Sequence, residues 1–294
     1  MIYVLVFLLL AAAAFFIYRE SSGYDIVEYT ISTCKDLPAP VRFVMLSDLH
    51  DTDVSHDCNK GLLESVRKAD PDFVILSGDM ITSYMQPKYD SDVSFAFLKE
   101  LSENFKVYYG LGNHEQRYKE EPDRFPGKYE ELEKYVKSCG INLLSDTYSD
   151  VEDKNIRIYG YDIPIEKYKR AVRTTLPEGI LRDVFGRVDE GRYNILLAHT
   201  PDFFEEYVRF APDLVLSGHL HGGIVGIPGI GGLLSPQLKL FPKYDYGKFT
   251  KDNTTMIVSR GIGWHSVPIR IFNKAEIVIV AIEPKRGDNN GDQC

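Results

Sequence analysis

Cysteine is scarce in this sequence of 294 residues, which contains only Cys34, Cys58, Cys139 and Cys294. They lie far apart along the chain, and no two have the C-x-x-C spacing of a metal site. A fold held together by disulfides and a zinc–thiolate site are therefore both disfavoured. We expect all four cysteines to be free thiols.

An excess of basic residues is also missing, because 34 Lys and Arg stand against 43 Asp and Glu and give a net charge of −9. General nucleic-acid binding needs a basic surface, so no nucleic-acid partner is expected. Internal repeats and a clear linker are absent as well. The chain is long enough to bury a full core, which predicts one domain over residues 24–284 followed by a disordered polar tail at 285–294.

Charge is absent from the run Ile2 to Tyr18, which is almost wholly apolar. As a helix it would span about 25 Å, close to the lower limit for crossing a bilayer. A cleaved signal peptide is the alternative, but it needs a basic start and a polar mature end, and Ala11 to Ala14 are followed by bulky apolar residues. We therefore predict an uncleaved membrane anchor at residues 1–19. The basic residues after it favour a cytoplasmic location for the rest of the chain: Arg19, Lys35 and Arg42.

Histidine is sparse too, yet five of the seven histidines lie at the ends of predicted strands. Apolar runs at 41–47, 73–77, 106–111, 194–198 and 213–217 predict buried strands, and amphipathic helical patterns separate the first three. That alternation indicates βαβ units, in which ligand-binding side chains gather at the carboxyl ends of the strands. The five runs are followed by Asp48 and His50, Asp79, Asn113 and His114, His199, and His219 and His221.

These side chains supply the donors for two divalent metals. Two metals roughly 3.5–4 Å apart clamp a phosphoryl group and activate a water, and they need about seven ligands, one of them a bridging carboxylate. Mixed oxygen and imidazole donors suit Mn, Fe, Zn or Co better than Mg or Ca, which prefer oxygen alone. The predicted ligands are Asp48, His50, Asp79, Asn113, His199, His219 and His221. His114 is an additional donor that could serve as general acid or bind the phosphate.

The same motifs resemble those of a known family. Asp48-x-His50, Gly78-Asp79, Gly112-Asn113-His114-Glu115, His199 and Gly218-His219-x-His221 are similar in order and spacing to the five motifs of the calcineurin-like metallophosphoesterases, over roughly residues 41–225. Further similarity, at residues 259–263 and 268–270, is to the membrane-anchored bacterial YkuE/YaeI-like branch. The resemblance implies an α/β (α+β) fold, a four-layer sandwich of two mixed β-sheets flanked by helices.

The resemblance also implies a role for each motif residue. One metal would be held by Asp48, His50, Asp79 and His221, and the other by Asp79, Asn113, His199 and His219, with Asp79 as the bridge. His114 matches the catalytic histidine of the family. Three arginines are candidates for substrate contact, although ordinary surface roles are as common for each: Arg117, Arg260 and Arg270.

The expected activity is hydrolysis of a phosphodiester, phosphomonoester or pyrophosphate bond with two transition-metal ions, Mn²⁺ before Fe, Zn or Co. A lipid-linked substrate is one option, and a pyrophosphatase of the UDP-2,3-diacylglucosamine type is a narrower alternative within the resembling branch. An inactive scaffold of the same fold is disfavoured, because every ligand and His114 are retained.

The stretch from Gly222 to Pro242 is rich in glycine yet apolar, which is unusual for a loop that leaves a metal site. It either folds back over the core beneath the site, or lies at the bilayer surface and lines a slot for an acyl chain.

Overall fold

The computed structural model describes residues 2–84, 91–169, 172, 174–223, 226–227, 231–233, 241–264 and 269–285. Residues 286–294 and most of the stretch between Gly222 and Pro242 lie outside the described residues. The expectations for the polar tail and for this glycine-rich stretch therefore stay predictions. Within the described part of the chain, Cys34, Cys58 and Cys139 are free thiols, as expected.

The strands form two six-stranded sheets. Sheet A contains β1 (Tyr24–Thr33), β2 (Val41–Leu46), β3 (Phe73–Ser77), β4 (Val107–Gly110), β5 (Asn142–Leu144) and β14 (Ala275–Pro284). Sheet B contains β6 (Thr147–Val151), β7 (Ile156–Gly160), β8 (Tyr193–Leu197), β9 (Leu214–Ser217), β12 (Gly247–Lys251) and β13 (Thr254–Val258). The strands β10 (Gly226–Ile227) and β11 (Gly231–Gly232) pair with each other in a short antiparallel ribbon.

Both sheets are mixed. The order in sheet A is β1-β14-β2-β3-β4-β5, and only β14 and β2 run antiparallel. The order in sheet B is β12-β13-β9-β8-β7-β6, with antiparallel pairs at its two edges. The central strands β2, β3, β4, β8 and β9 are parallel to their neighbours on at least one side, so their carboxyl ends share an edge with those neighbours.

The helices are α1 (Ile2–Ser21), α2 (Lys60–Ala69), α3 (Ser91–Ser102), α4 (Asn113–Glu120), α5 (Lys128–Ser138), α6 (Ile180–Phe185) and α7 (Phe204–Phe210). Short 3₁₀ turns lie at Glu152–Lys154, Ile165–Tyr168 and Pro201–Phe203.

The core has four layers. The two sheets pack face to face through side chains such as Phe43, Phe73 and Ile195. Helices α2, α3 and α5 cover the outer face of sheet A, and α6 and α7 cover that of sheet B. Strand β2 shows why the apolar runs are continuous: Phe43 faces the other sheet while Val44 faces the helices, so both faces are buried. The expected sandwich of two mixed sheets flanked by helices is confirmed.

Helix α4 is the main element that the apolar pattern does not predict. Its sequence is NHEQRYKE, and its buried side chains are Asn113, His114, Glu115 and Gln116. Because polar residues occupy its inner face, the helix has no apolar stripe for a periodicity analysis to detect. The motif around Asn113 thus lies at the start of a helix as well as at the end of β4.

Helix α1 is apolar around its whole circumference and has no buried residue. It is long and apolar enough to cross a membrane. An apolar helix in the core of a soluble protein would be covered by the domain, whereas the apolar part of α1 is exposed. Contacts with the domain occur near its carboxyl end, where Ser21 Oγ accepts the Arg270 N–H at 2.9 Å.

Candidate metal centre

The predicted ligands come together at the adjoining strand ends of the two sheets. Asp48 and His50 follow β2, Asp79 follows β3, and Asn113 and His114 follow β4, while His199 follows β8 and His219 and His221 follow β9. All eight side chains are buried. Five of these residues have positive φ angles between 50° and 69°, a region that non-glycine residues rarely occupy. Such strain is typical of functional sites, where the surrounding structure holds side chains in place: Asp48, His50, Asp79, His219 and His221.

Two motif glycines allow the strand ends to approach this closely. A Cβ at Gly218 would lie 2.2 Å from Asp48 Oδ2, and one at Gly112 would lie 2.3 Å from Asp79 Oδ1. Neither distance is tolerable for real atoms, so any side chain at these positions would push the motifs apart. The close packing of the strand ends therefore requires glycine at these two motif positions.

Asp79 lies at the centre of the cluster. Its Oδ1 accepts the backbone N–H of His114 at 2.8 Å. Its Oδ2 lies 3.1 Å from His199 Nε2, 3.9 Å from His50 Nε2 and 4.0 Å from His114 Nε2. One carboxylate oxygen is thus fixed by the backbone, and the other faces imidazole nitrogens on several sides.

Two donor sets adjoin Asp79. In the first, Asp48 Oδ1 lies 3.4 Å from His221 Nε2 and 3.8 Å from His50 Nε2, and these two nitrogens are 3.1 Å apart. In the second, Asp79, His199 and His219 offer ligand atoms that all lie within 4.8 Å of one another. His50 and Asp79 form a further close group with His114. The division of ligands that the family resemblance implies stays a prediction, since His199 Nε2 of the second set also lies 3.7 Å from Asp48 Oδ1 of the first.

Asn113 adds an amide to the cluster. One terminal atom of its side chain lies 2.7 Å from His219 Nδ1 and 3.2 Å from Asp79 Oδ2. Either the oxygen or the nitrogen of an amide can be turned toward such neighbours, and only the oxygen can be a metal ligand. Carboxylate, imidazole and amide side chains gathered in one buried cluster are a donor set that fits a transition-metal cation.

The chain behind His199 fixes the orientation of its ring. Its Nδ1 is 2.7 Å from the carbonyl oxygen of Ser77, and a carbonyl can only accept, so Nδ1 carries a proton. Nε2 faces Asp79, and in the neutral ring it is the nitrogen left with the lone pair that a metal needs. A backbone carbonyl that fixes the tautomer in this way is the usual support of a metal-bound histidine.

The charges in the cluster are strongly coupled. Burial raises the pKa of Asp48 to about 6. Burial opposes ionisation of Asp79 as well, but the nearby His199 and His114 hold its pKa well below the usual range. Although burial lowers the pKa of His199, the Asp79 and Asp48 carboxylates raise it to about 10. The buried carboxylates therefore create a strong local preference for positive charge.

His114 is oriented by the segment that follows Asp79. The backbone N–H of Ser83 donates to His114 Nδ1 at 2.8 Å, and the Ser83 hydroxyl lies 2.9 Å from the same nitrogen. Because a backbone N–H can only donate, Nδ1 is an acceptor and the neutral ring carries its proton on Nε2. That nitrogen faces the cluster, 4.0 Å from Asp79 Oδ2.

Glu115 belongs to the site, although sequence reasoning assigned it no role. Its carboxylate is fully buried and accepts the backbone N–H groups of Asp79, Met80, Ile81 and Gly112 and the hydroxyl of Tyr109. Burial, together with the Asp79 carboxylate, raises the pKa of Glu115 to about 7. By these bonds it fixes the Asp79 loop to the start of α4. Its place in the Gly-Asn-His-Glu motif was the available signal.

We expect Glu115→Gln to lower the free energy of unfolding by about 2–4 kcal/mol, because one amide group would face N–H groups that need an acceptor. For a chain of this size that corresponds to a melting temperature lower by roughly 3–7 °C. Thermal unfolding followed by circular dichroism measures the change. Glu130→Gln, an exposed substitution of the same kind, is the control and should shift the melting temperature by less than about 2 °C. Equal stability of the two variants would contradict the role of Glu115.

The three arginines differ in what their donors contact. Arg117 is half-buried and donates to the Ser83 hydroxyl at 3.2 Å, which places it next to His114. Arg260 forms an ion pair with the buried Glu276 at 2.8 Å. Arg270 is buried and donates to the backbone carbonyls of residues 260, 261, 263 and 273. The expectation of a substrate contact is therefore not supported for Arg270, whose guanidinium braces a loop instead.

One aromatic contact had no sequence signal. The ring of Tyr168, in the last 3₁₀ turn before α6, packs edge-on against His219 with ring centroids 4.9 Å apart. Tyr168 is buried and limits the positions that the His219 ring can take. It lies in the mixed, charged middle of the chain, where no motif pointed to it.

Two packed mixed sheets that bring buried carboxylates and imidazoles together at adjoining strand ends define a class of layered α/β domains whose cluster can hold metal ions. The chain belongs to the calcineurin-like phosphoesterase family, whose model matches residues 41–223. The resemblance seen in the sequence motifs is thereby confirmed.

Relatives support the same conclusion. The chain is 26% identical over 279 residues to an uncharacterized metallophosphoesterase of Aquifex aeolicus, covering 90% of this chain and 94% of that one. It is 23% identical over 266 residues to the uncharacterized metallophosphoesterase YkuE of Bacillus subtilis, covering 87% and 86%. A transmembrane protein with metallophosphoesterase domain of Danio rerio is 24% identical over 266 residues, covering 83% of this chain and 53% of that one. The protein is a phosphoesterase hydrolase.

Proposed function

We propose that this phosphoesterase hydrolyses a phosphate ester or pyrophosphate bond at a centre for two divalent cations. The observation that carries the proposal is the position of Asp79 Oδ2, which faces donors of both sets while Oδ1 is fixed by the His114 backbone. A carboxylate oxygen so placed can be shared between two cations. Mn²⁺ is the first candidate, and Fe, Zn and Co follow, because the donors combine imidazole nitrogen with oxygen.

The ligand assignment follows the two donor sets. Asp48, His50, Asp79 and His221 would hold one cation, and Asp79, Asn113, His199 and His219 the other. When bound, the cations supply Lewis acidity toward the phosphoryl oxygens and lower the pKa of a coordinated water. His114 holds a proton at Nε2 that it can give to the leaving oxygen. Arg117, which bonds to the Ser83 hydroxyl beside it, is the arginine best placed to contact a phosphate.

We propose further that residues 1–19 anchor a single catalytic domain at residues 24–284 to the cell membrane. The support is the exposure of α1, since an apolar helix of this length is unfavourable in water. The basic residues after it favour a cytoplasmic domain. A lipid-linked phosphate is then the favoured substrate class, because the anchor would hold the site where such a substrate is concentrated.

Metal analysis and a hydrolysis screen test the proposal together. Full-length protein in nanodiscs should bind two Mn²⁺ per chain and hydrolyse at least one ester among matched mono-, di- and pyrophosphate substrates, some carrying acyl chains. The metal-free protein serves as the control and should be inactive until Mn²⁺ is restored. Two bound metals without hydrolysis of any ester, under Mn²⁺, Fe²⁺, Zn²⁺ or Co²⁺, would favour the inactive scaffold instead.

A further inference from the structure

A groove lies between helix α1 and the catalytic domain. It has a volume of about 490 Å³, within the range of sites for small molecules. One wall is the face of α1 made by Ala14, Ile17, Tyr18 and Ser21, which have the spacing of a single helical stripe, continued by Ser22. The opposite wall is formed by His56 and Trp264.

The groove changes from apolar to polar along its length. Ala14 and Ile17 lie toward the free end of α1, which the domain leaves exposed, and Ser21, Ser22 and His56 lie toward the domain. The distance along the helix from Ala14 to Ser22 is about 12 Å. An amphiphilic molecule would therefore enter with its apolar part toward the bilayer and its polar part toward the domain.

The polar end of the groove adjoins the metal centre. Trp264 directly follows Gly263, whose N–H donates to the backbone carbonyl of Asp48 at 2.8 Å. The Trp264 N–H itself is 3.5 Å from the hydroxyl of Thr52, two residues beyond His50. The segment that carries Trp264 is thus hydrogen-bonded directly to the segment that carries Asp48 and His50.

The surface beside the groove is continuous with the anchor. Phe272 is half exposed, and its ring is 4.8 Å from that of Phe16 on α1. Ile269, on the same loop, is exposed as well. Exposed apolar side chains next to an apolar helix form a surface that fits the interfacial region of a bilayer.

We propose that this groove binds the acyl chain of the substrate, so that the anchor helix is one wall of the substrate site as well as a tether. The inference rests on the proposed phosphoesterase function and names its substrate class: a phosphate ester in the bilayer whose acyl chain lies between α1 and Trp264 while its phosphate reaches the metal centre.

The effect of the groove on KM can be tested with two substrates and two variants. Hexadecyl and ethyl 4-nitrophenyl phosphate share the reacting diester and differ only in the chain. Ala14→Phe narrows the groove, and Ala12→Phe makes the same change on the opposite face of α1. With full-length protein in nanodiscs, Ala14→Phe should raise KM for the hexadecyl ester about 10-fold, the effect of excluding roughly two methylenes, and leave the ethyl ester within about 2-fold. Ala12→Phe should change neither.

A binding experiment tests the groove independently of the hydrolytic activity. Trp264 is the only tryptophan in the sequence, so its fluorescence reports on the groove directly. A hexadecyl phosphonate with a brominated chain should quench it in the parent protein and in Ala12→Phe, and much less in Ala14→Phe. This readout remains valid even if no ester is hydrolysed, in which case the proposed function fails and the groove assignment stands.

Two results would overturn the groove assignment. The first is that brominated phosphatidylcholine quenches Trp264 and that hexadecyl phosphonate without bromine does not reverse this quenching, which would mean that the groove holds a bulk bilayer lipid. Equal quenching and equal KM in Ala14→Phe and Ala12→Phe would mean that no acyl chain of the substrate enters the groove.

Discussion

His114→Ala is expected to retain both metals and to lose about 10²–10⁴-fold in kcat, the usual contribution of a general acid. The reason is the tautomer. The Ser83 N–H occupies Nδ1, so the proton on Nε2 faces the cluster, and removal of the ring removes that proton without removing a required ligand. Metal content by mass spectrometry and steady-state kinetics with the best substrate of the screen measure the two effects.

Ser83→Ala is the matched control for His114. It deletes the hydroxyl next to Nδ1 but keeps the backbone N–H that fixes the tautomer, so we expect a loss of less than about 10-fold. If His114→Ala loses one metal together with its activity, His114 is a ligand. If it loses neither, the acid lies elsewhere.

Asp79→Asn has the largest expected effect. The backbone N–H of His114 donates to Oδ1, so an asparagine would keep its oxygen there and place its amide nitrogen where Oδ2 faces His199 and His50. A donor would then stand where two cations need an acceptor. We expect at most one metal per chain and a fall in activity of about 10³-fold or more, since a metal supplies several kcal/mol of charge stabilisation.

The measurement is metal content after reconstitution with excess Mn²⁺, with circular dichroism to verify folding. Asp123→Asn removes an exposed carboxylate outside the motifs and should keep both metals. Two metals per chain in Asp79→Asn would mean that Asp79 is not the bridge, and the ligand sets would have to be redrawn.

The amino-acid sequence was sufficient to predict those strands whose burial produces a simple apolar pattern. Strands β2, β3, β8 and β9 are apolar on both faces, so they read as continuous runs, and their bounds were predicted within one or two residues. The cluster was predictable as well, because its residues directly follow those runs and parallel strands end at a common edge.

Sequence reasoning failed where a buried surface is polar. The buried face of α4 carries polar residues of the site instead of apolar ones. The Glu115 carboxylate can be buried there because five hydrogen-bond donors satisfy it. The partners of Arg270 are backbone carbonyls, which leave no trace in the amino-acid pattern. The paired edge strands β6 and β12 were missed because half of their residues face solvent and carry polar side chains.

The position of β14 has a consequence for synthesis of the protein. This strand lies between β1 and β2. Strand β2, which precedes Asp48 and His50, therefore gains its second neighbouring strand only after residues 275–284 have been synthesised. Until then β1 lacks the strand it pairs with, and β2 pairs with β3 on one side and has an open edge on the other. Nascent chains of this protein are therefore expected to expose strand edges that can pair with other chains, until the last strand closes the gap between β1 and β2.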